Sequence, residues 1–267
     1  MSYWQDRVAL VTGGSSGLGR VIAAALAAAG AKVVIGALEA DAVEQAAQEM
    51  RRDGHDVLGV QADITRQEDV DRLFATALEK YGRLDALVNN AGRSMRGKLM
   101  QTTPEDFRQL MELNLIALVR CTLAAVPHLL PRRGHVVNIG SLAAKSAARW
   151  VGAYPASKHA VAAYSQQLRL EMEPEGLHVL LVCPGPVARP DERLYPLAGL
   201  ENVPESARRA GAGVRVRAIA PDWLAQKILR ACERRAPELV VPGKARLLFA
   251  IAQLSPRLGD WLVRRMT

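Results

Sequence analysis

The sequence predicts one α/β domain, a doubly wound parallel sheet of about seven strands with helices on both faces, followed by a helical tail. Short apolar runs alternate with longer segments of helical period, the mark of successive βαβ units. The first run closes on a glycine-rich turn that opens a helix. Polar or glycine residues stand at successive strand ends, where the ligands of such sheets bind: Thr12-Gly13, Asp63, Asn89-Asn90-Ala91-Gly92, Ser141 and Pro184-Gly185.

The run at 7–12 is apolar up to Thr12, as a buried parallel strand is. Gly13, Gly17 and Gly19 follow in G-x-x-x-G-x-G spacing, with Ser15, Ser16 and Leu18 among them. An alanine-rich helix then runs to about Ala29 and stops at Gly30. Backbone N–H groups at the start of such a helix suit a pyrophosphate. Further strands are expected at 32–37, 57–61, 84–89, 134–140, 178–183 and 238–241. Helices are expected near 40–52, 67–80, 104–130, 152–173 and 221–234. No repeat or linker interrupts the order. The long irregular stretch at 184–220, rich in Pro, Gly and Arg, reads as a lid or binding loop.

A chain of 267 residues, 49% hydrophobic, can bury a core without staples. Cys121, Cys183 and Cys232 form no CxxC pair and read as core residues of a reduced, cytoplasmic protein, with no disulfide or metal role. A strand-like run from Arg7 leaves no room for a signal peptide. The longest weakly polar run, Val21 to Leu38, is broken by Gly30 and Lys32 and reads as helix plus strand. The net charge of +8 is uneven. Residues 207–267 hold 13 Lys+Arg against 4 Asp+Glu, while the rest is near neutral.

Tyr154-Pro155-Ala156-Ser157-Lys158 supplies the chemistry. A Tyr and a Lys four apart on a helix share one face. The ammonium favours the charged phenolate and so lowers the phenol's pKa, as proton exchange near neutral pH requires. Ser141, at a strand end just before that helix, can reach the same oxygen as Tyr154.

Together these residues resemble the short-chain dehydrogenase/reductase family over roughly 7–190. The resemblance implies a Rossmann-like fold and an NAD(P)-dependent enzyme interconverting a ketone and a secondary alcohol. It implies cofactor contacts from Gly13, Ser15, Ser16, Gly17, Leu18 and Gly19, from Asp63 and Ile64, and from Asn90, Ala91 and Gly92. Pro184, Gly185 and Val187 would lie near the nicotinamide. Asn114, Ser141, Tyr154 and Lys158 fall where the family carries its catalytic four. In these roles Tyr154 exchanges the proton, Lys158 also holds the nicotinamide ribose, and Asn114 holds a water leading from Lys158 to solvent. The catalytic domain is then 1–243, with 184–220 as substrate loop, and 244–267 is the tail.

Two positions depart from the family's pattern. Ala37 stands where NAD-preferring members place Asp, and Leu38 where NADP-preferring members place Arg; the missing carboxylate leans towards NADP over NAD. Glu39 reads as a solvated first-turn residue. Arg189 stands where many members have Thr.

In the tail, Leu247, Ile251, Leu254, Leu258, Trp261 and Leu262 recur at helical spacing among Lys244, Arg246, Arg257, Arg264 and Arg265. Ser255-Pro256 restarts the helix. Such a tail packs on its own domain or a neighbouring subunit, closes a greasy pocket, or lies on anionic membrane; nucleic acid is disfavoured because no aromatic platform accompanies the arginines. The partners expected are an apolar carbonyl or alcohol substrate and a second copy, through the helices near 104–130 and 152–173, in a dimer or tetramer. Two other readings stand beside the oxidoreductase. One is a catalytically idle cofactor-binding scaffold, against which the complete Asn-Ser-Tyr-Lys set argues. The other is an epimerase or dehydratase, which usually has a longer substrate domain.

Overall fold

A computed structural model describes residues 2–188, 204–208, 211 and 217–266. Most of the expected loop at 184–220, Arg189 included, lies outside the described residues. Seven strands form one sheet: β1 (Val8–Thr12), β2 (Lys32–Ala37), β3 (Val57–Gln61), β4 (Ala86–Asn89), β5 (His135–Ile139), β6 (His178–Pro184) and β7 (Glu238–Val241). All pair in parallel, in the order β3-β2-β1-β4-β5-β6-β7. The order reverses between β1 and β4, which leaves a crevice beyond their carboxyl ends. Thr12 is in register with Asn89, so the first glycine turn and the Asn-Asn-Ala-Gly segment meet at that crevice.

The strands are apolar throughout because both faces are covered. Ala9 and Val11 of β1 face one layer, with Val33 and Ile35 of β2. That layer holds α1 (Gly17–Ala28), α2 (Ala40–Arg52) and, past the short helix α7 (Glu205–Arg208), α8 (Pro221–Glu233). Val8, Leu10 and Val34 face the opposite layer. There α3 (Gln67–Tyr81), α5 (Ala117–Leu129) and α6 (Tyr154–Met172) lie along the sheet, with α4 (Pro104–Met111) against α6; α3 and α5 bury Val70, Leu73, Cys121 and Leu129. Each Leu or Ile buried this way contributes ~1.5–3 kcal/mol. All three cysteines are free and buried, as core residues are.

The expected helix at 104–130 forms, with one wider turn inside it. Thr103 and Asp106 cap α4 reciprocally, and a π-turn at Glu112–Ile116 separates α4 from α5. Wide turns of this kind mark positions where a helix yields its regular bonding to a nearby demand, and Asn114 sits at this one. The run Pro104–Arg132, not Val21–Leu38, is long and apolar enough to cross a membrane by length and composition; its inner side is part of the core.

The tail forms two helices, α9 (Ala245–Leu254) and α10 (Pro256–Met266). They meet where Gly259 rests on Ala252; a Cβ on Gly259 would come 2.6 Å from the Ala252 Cα. Ala245 and Phe249 of α9 pack on Leu118, Ala144, Val161 and Val240.

Candidate active site

The turn after β1 is held by its neighbours. Thr12 Oγ1 accepts hydrogen bonds from the Asn90 and Ala91 N–H groups at 3.1 and 3.2 Å. Asn90 Nδ2 donates to the Thr12 and Gly13 carbonyls at 3.1 and 3.2 Å. Only glycine fits at position 19, because a Cβ there would come 2.2 Å from Gly13 O and 2.3 Å from Asn90 Nδ2. This clasp fixes the start of α1 at the crevice. Ser16, at the N-cap of α1, makes no side-chain cap bond, and the first turn carries no acidic residue. Its N–H donors and the positive end of the helix dipole thus stay available to an anion, which fits a dinucleotide's pyrophosphate.

One cleft runs from this turn across the sheet. Gly13, Ser15, Ser16, Gly17, Leu18, Asp63, Ile64, Asn90, Ala91, Gly92, Ser141, Tyr154, Lys158, Pro184, Gly185 and Val187 all line it. Gly19 lies behind the wall as the packing glycine. At the β2 end, Ala37, Leu38 and Glu39 also line the cleft; Ala37 is buried, and Leu38 and Glu39 are exposed. Asp63 Oδ1 accepts from the Thr65 N–H at 3.0 Å and its hydroxyl at 2.7 Å, while Asp69 holds the Asp63 N–H at 2.9 Å. The loop after β3 is therefore stiff.

Ser141 caps a short 3-10 turn, Leu142–Ala144, and its Oγ accepts from the Ala143 N–H at 3.1 Å. That bond uses a lone pair and leaves the hydroxyl hydrogen free to point at a ligand. Tyr154 opens α6, with Pro155 in the first turn, where the missing N–H does no harm. Lys158 lies one turn on, its Nζ 6.0 Å from the Tyr154 ring centroid. Nζ donates to the Ile139 carbonyl at 2.8 Å. Burial brings the Lys158 pKa down to about 8.

Asn114 is buried behind the wall and does not line the cleft. Its Oδ1 accepts from the Arg93 N–H at 2.9 Å, and its Nδ2 donates to the Arg93 carbonyl at 3.0 Å and to Ser157 Oγ at 2.9 Å. Ser157 Oγ in turn donates to the Tyr154 carbonyl at 2.8 Å. Both Nδ2 hydrogens are committed, so the side chain braces the loop after Gly92 against the first turn of α6.

Sequence reasoning missed a polar network behind the site. Asn89 Nδ2 donates to Thr122 Oγ1 at 3.1 Å and to Asn138 Oδ1 at 2.9 Å, and Asn138 Nδ2 donates to Ser165 Oγ at 2.9 Å. These pairs span 27 to 49 residues, and no local pattern announces them. It also missed Arg20, which lines the cleft and pairs with Glu49 of α2. Leu247, Ile251 and Leu262 of the tail line the same cleft, one of the targets open to their helical period, and Leu248 joins them.

Known proteins agree with this layout. The family described as short chain dehydrogenase matches residues 7–193. An uncharacterised oxidoreductase of Bacillus subtilis (strain 168), YxnA, is 32% identical over 266 residues, covering 98% of this chain and 72% of that protein. A short-chain dehydrogenase/reductase from Burkholderia phymatum, solved in complex with NAD, superposes with TM-score 0.84 at 25% identity, over 97% of this chain and 96% of that one. A single-substitution form of actinorhodin polyketide ketoreductase, solved with NADPH, superposes with TM-score 0.78 at 28% identity, over 91% of this chain and 98% of that one. The glycine clasp, the Tyr-Lys pair on one cleft wall and these likenesses converge: the chain belongs to the short-chain dehydrogenase/reductase family of oxidoreductases.

Proposed function

We propose that the protein interconverts an apolar ketone and the corresponding secondary alcohol, with Tyr154 as the proton-exchanging group. The observation that carries the reading is that Ser141, Tyr154 and Lys158 share one cleft with the apolar Leu247, Leu248, Ile251 and Leu262 of the tail. A bound reduced nicotinamide supplies the hydride. In reduction, negative charge develops on the substrate oxygen. Ser141 donates its free hydroxyl hydrogen to that oxygen, and Tyr154 donates its phenolic proton. Lys158 stabilises the resulting phenolate by charge. Asn114 works from behind as a positioning residue, through Ser157 and the Arg93 backbone. In oxidation the same groups act in reverse, with Tyr154 as base.

The residues along α1 and at the ends of β1, β3 and β4 would hold the dinucleotide. NADP is favoured over NAD because no carboxylate ends β2: Ala37 is small and buried, and Glu39 is exposed at the N-cap of α2. The apolar substrate follows from Leu247, Leu248, Phe249, Ile251 and Leu262 at the cleft.

The test is Tyr154→Phe, which deletes one oxygen and almost no volume. Turnover of a ketone that the wild type reduces should fall at least a hundredfold, while NADPH still binds within threefold. A variant keeping more than a tenth of the wild-type rate would remove Tyr154 from the chemistry.

A further inference from the structure

We infer that α9 and α10 dock the protein on an anionic lipid bilayer, with the mouth of the cleft at the membrane surface. The helices present two sides. One packs on the domain and lines the cleft. The other leaves Leu254 at 88%, Leu247 at 68%, Trp261 at 52% and Leu258 at 46% of full exposure. Large apolar side chains clustered on one short hairpin mark a surface that is covered in use.

Charge selects what covers it. The same hairpin carries Lys244 at the cleft, Arg246, which donates to the Glu238 carbonyl at 3.2 Å, and Arg257, Arg264 and Arg265, against the single acid Asp260. Among the described residues no carboxylate forms an ion pair with any of the five. A second copy of this chain brings the same cations to the contact and is repelled. An anionic bilayer supplies both halves of the complement: headgroup charge for the Lys and Arg residues, and the acyl boundary for the Leu residues and Trp261. Arg265 lies 5.4 Å from the Trp261 ring centroid, so ring and cation sit together as an interfacial anchor does.

Leu247 joins this surface to the site, being both largely exposed and part of the cleft lining. A docked protein would take an apolar substrate from the membrane without its crossing water. That consequence rests on the oxidoreductase reading above; the docking does not.

The experiment is co-sedimentation of the full chain with phosphatidylcholine vesicles, with and without about one-third phosphatidylglycerol, at low salt and at about 0.5 M salt. Partition should be at least tenfold stronger on the anionic vesicles and largely lost at high salt. Brominated acyl chains should quench part of the tryptophan emission, and Trp261→Phe should remove that part. Leu254→Asp with Leu258→Asp should lower partition at least tenfold, with the melting temperature and the reduction of a small water-soluble ketone unchanged. Three results would each overturn the inference: no preference for anionic vesicles at low salt, partition unchanged in the double variant, or light scattering showing that the variant instead breaks up an oligomer. Vesicle binding is read without turnover, so binding with no ketone reduction would sink only the enzymatic reading.

Discussion

His135 Nδ1 lies 2.8 Å from His178 Nδ1, and both rings are buried at the amino ends of β5 and β6, away from the cleft. The bonds around them fix the protons. His178 Nε2 lies 2.8 Å from the Ala236 carbonyl, which can only accept, so that nitrogen carries the proton and Nδ1 is bare. His135 therefore donates from Nδ1, and its Nε2 accepts from the Tyr3 hydroxyl at 2.7 Å. The chain Tyr3, His135, His178, Ala236 is satisfied while both rings are neutral. Cys232 lies against the pair, its thiol pushed well up by burial.

Acid should undo this arrangement. Burial first, then the neighbouring His178, Arg235 and Arg7 charges, bring the His135 pKa down to about 3; burial also lowers that of His178, near which Glu173 and Arg169 also lie. The unfolded chain binds protons on these rings from about pH 6.5 downwards, and the folded chain does not. Their stabilisation is therefore complete above pH 6.5 and is lost progressively as pH falls towards 3, on the order of a few kcal/mol in all. Urea denaturation at pH 8, 6 and 4.5 reads it. His135→Phe with His178→Leu should flatten the decline; an equally steep decline would place the sensitivity elsewhere.

Lys158 shows function set against stability. Its folded pKa is about 8 against an ordinary 10.5, and among the described residues no carboxylate offsets its burial. The unfolded chain takes up this proton first, so the folded state loses ~3 kcal/mol as pH falls from 10.5 to 8 and carries that cost at neutrality. Lys158→Met should remove it. Against the gain stands the charged donor lost to the Ile139 carbonyl, worth about 1.5–3 kcal/mol. A net gain of up to roughly 1.5 kcal/mol, or up to about 5 °C in melting temperature, should accompany loss of turnover. A lower melting temperature would show that the ammonium holds the site together.

Ala37→Asp should turn cofactor preference towards NADH. The carboxylate would meet the ribose hydroxyls of NADH and repel a 2′-phosphate. Fluorescence titration of both cofactors should show NADPH binding at least as tightly as NADH in the wild type and a tenfold or larger swing in the variant. A wild-type preference for NADH above tenfold would contradict the assignment.

The strands were legible because each is a short apolar run between helical stretches, most of them closed by a polar or glycine residue, and β2, β3 and β7 have the expected bounds. Tyr154 and Lys158 were legible because helical spacing is local. The π-turn at Asn114 was not, since it depends on partners at Arg93 and Ser157, 21 and 43 residues away. His135 and His178 gave no signal either. Each sits inside a strand-like run, and Tyr3, which completes their chain, is 132 residues from His135.

The last expectation is self-association through α5 and α6. Leu123 and Leu170 are each 67% exposed, and Ile116, two turns before Leu123, is 38% exposed. Positions seven apart on a helix share a face, so Ile116 and Leu123 form one apolar stripe. The tail repels its own copy, but this stripe carries no such excess of charge. Covering a Leu fully contributes ~1.5–3 kcal/mol, and a two-fold contact covers each residue twice. Light scattering at micromolar concentration should therefore give a dimer or larger. Leu123→Asp with Leu170→Asp should shift it at least tenfold towards monomer, because two carboxylates per subunit would have to leave water. The monomer should stay folded by circular dichroism, since neither side chain is buried in the isolated chain. A wild-type monomer, or an oligomer indifferent to both substitutions, would move the contact to another face.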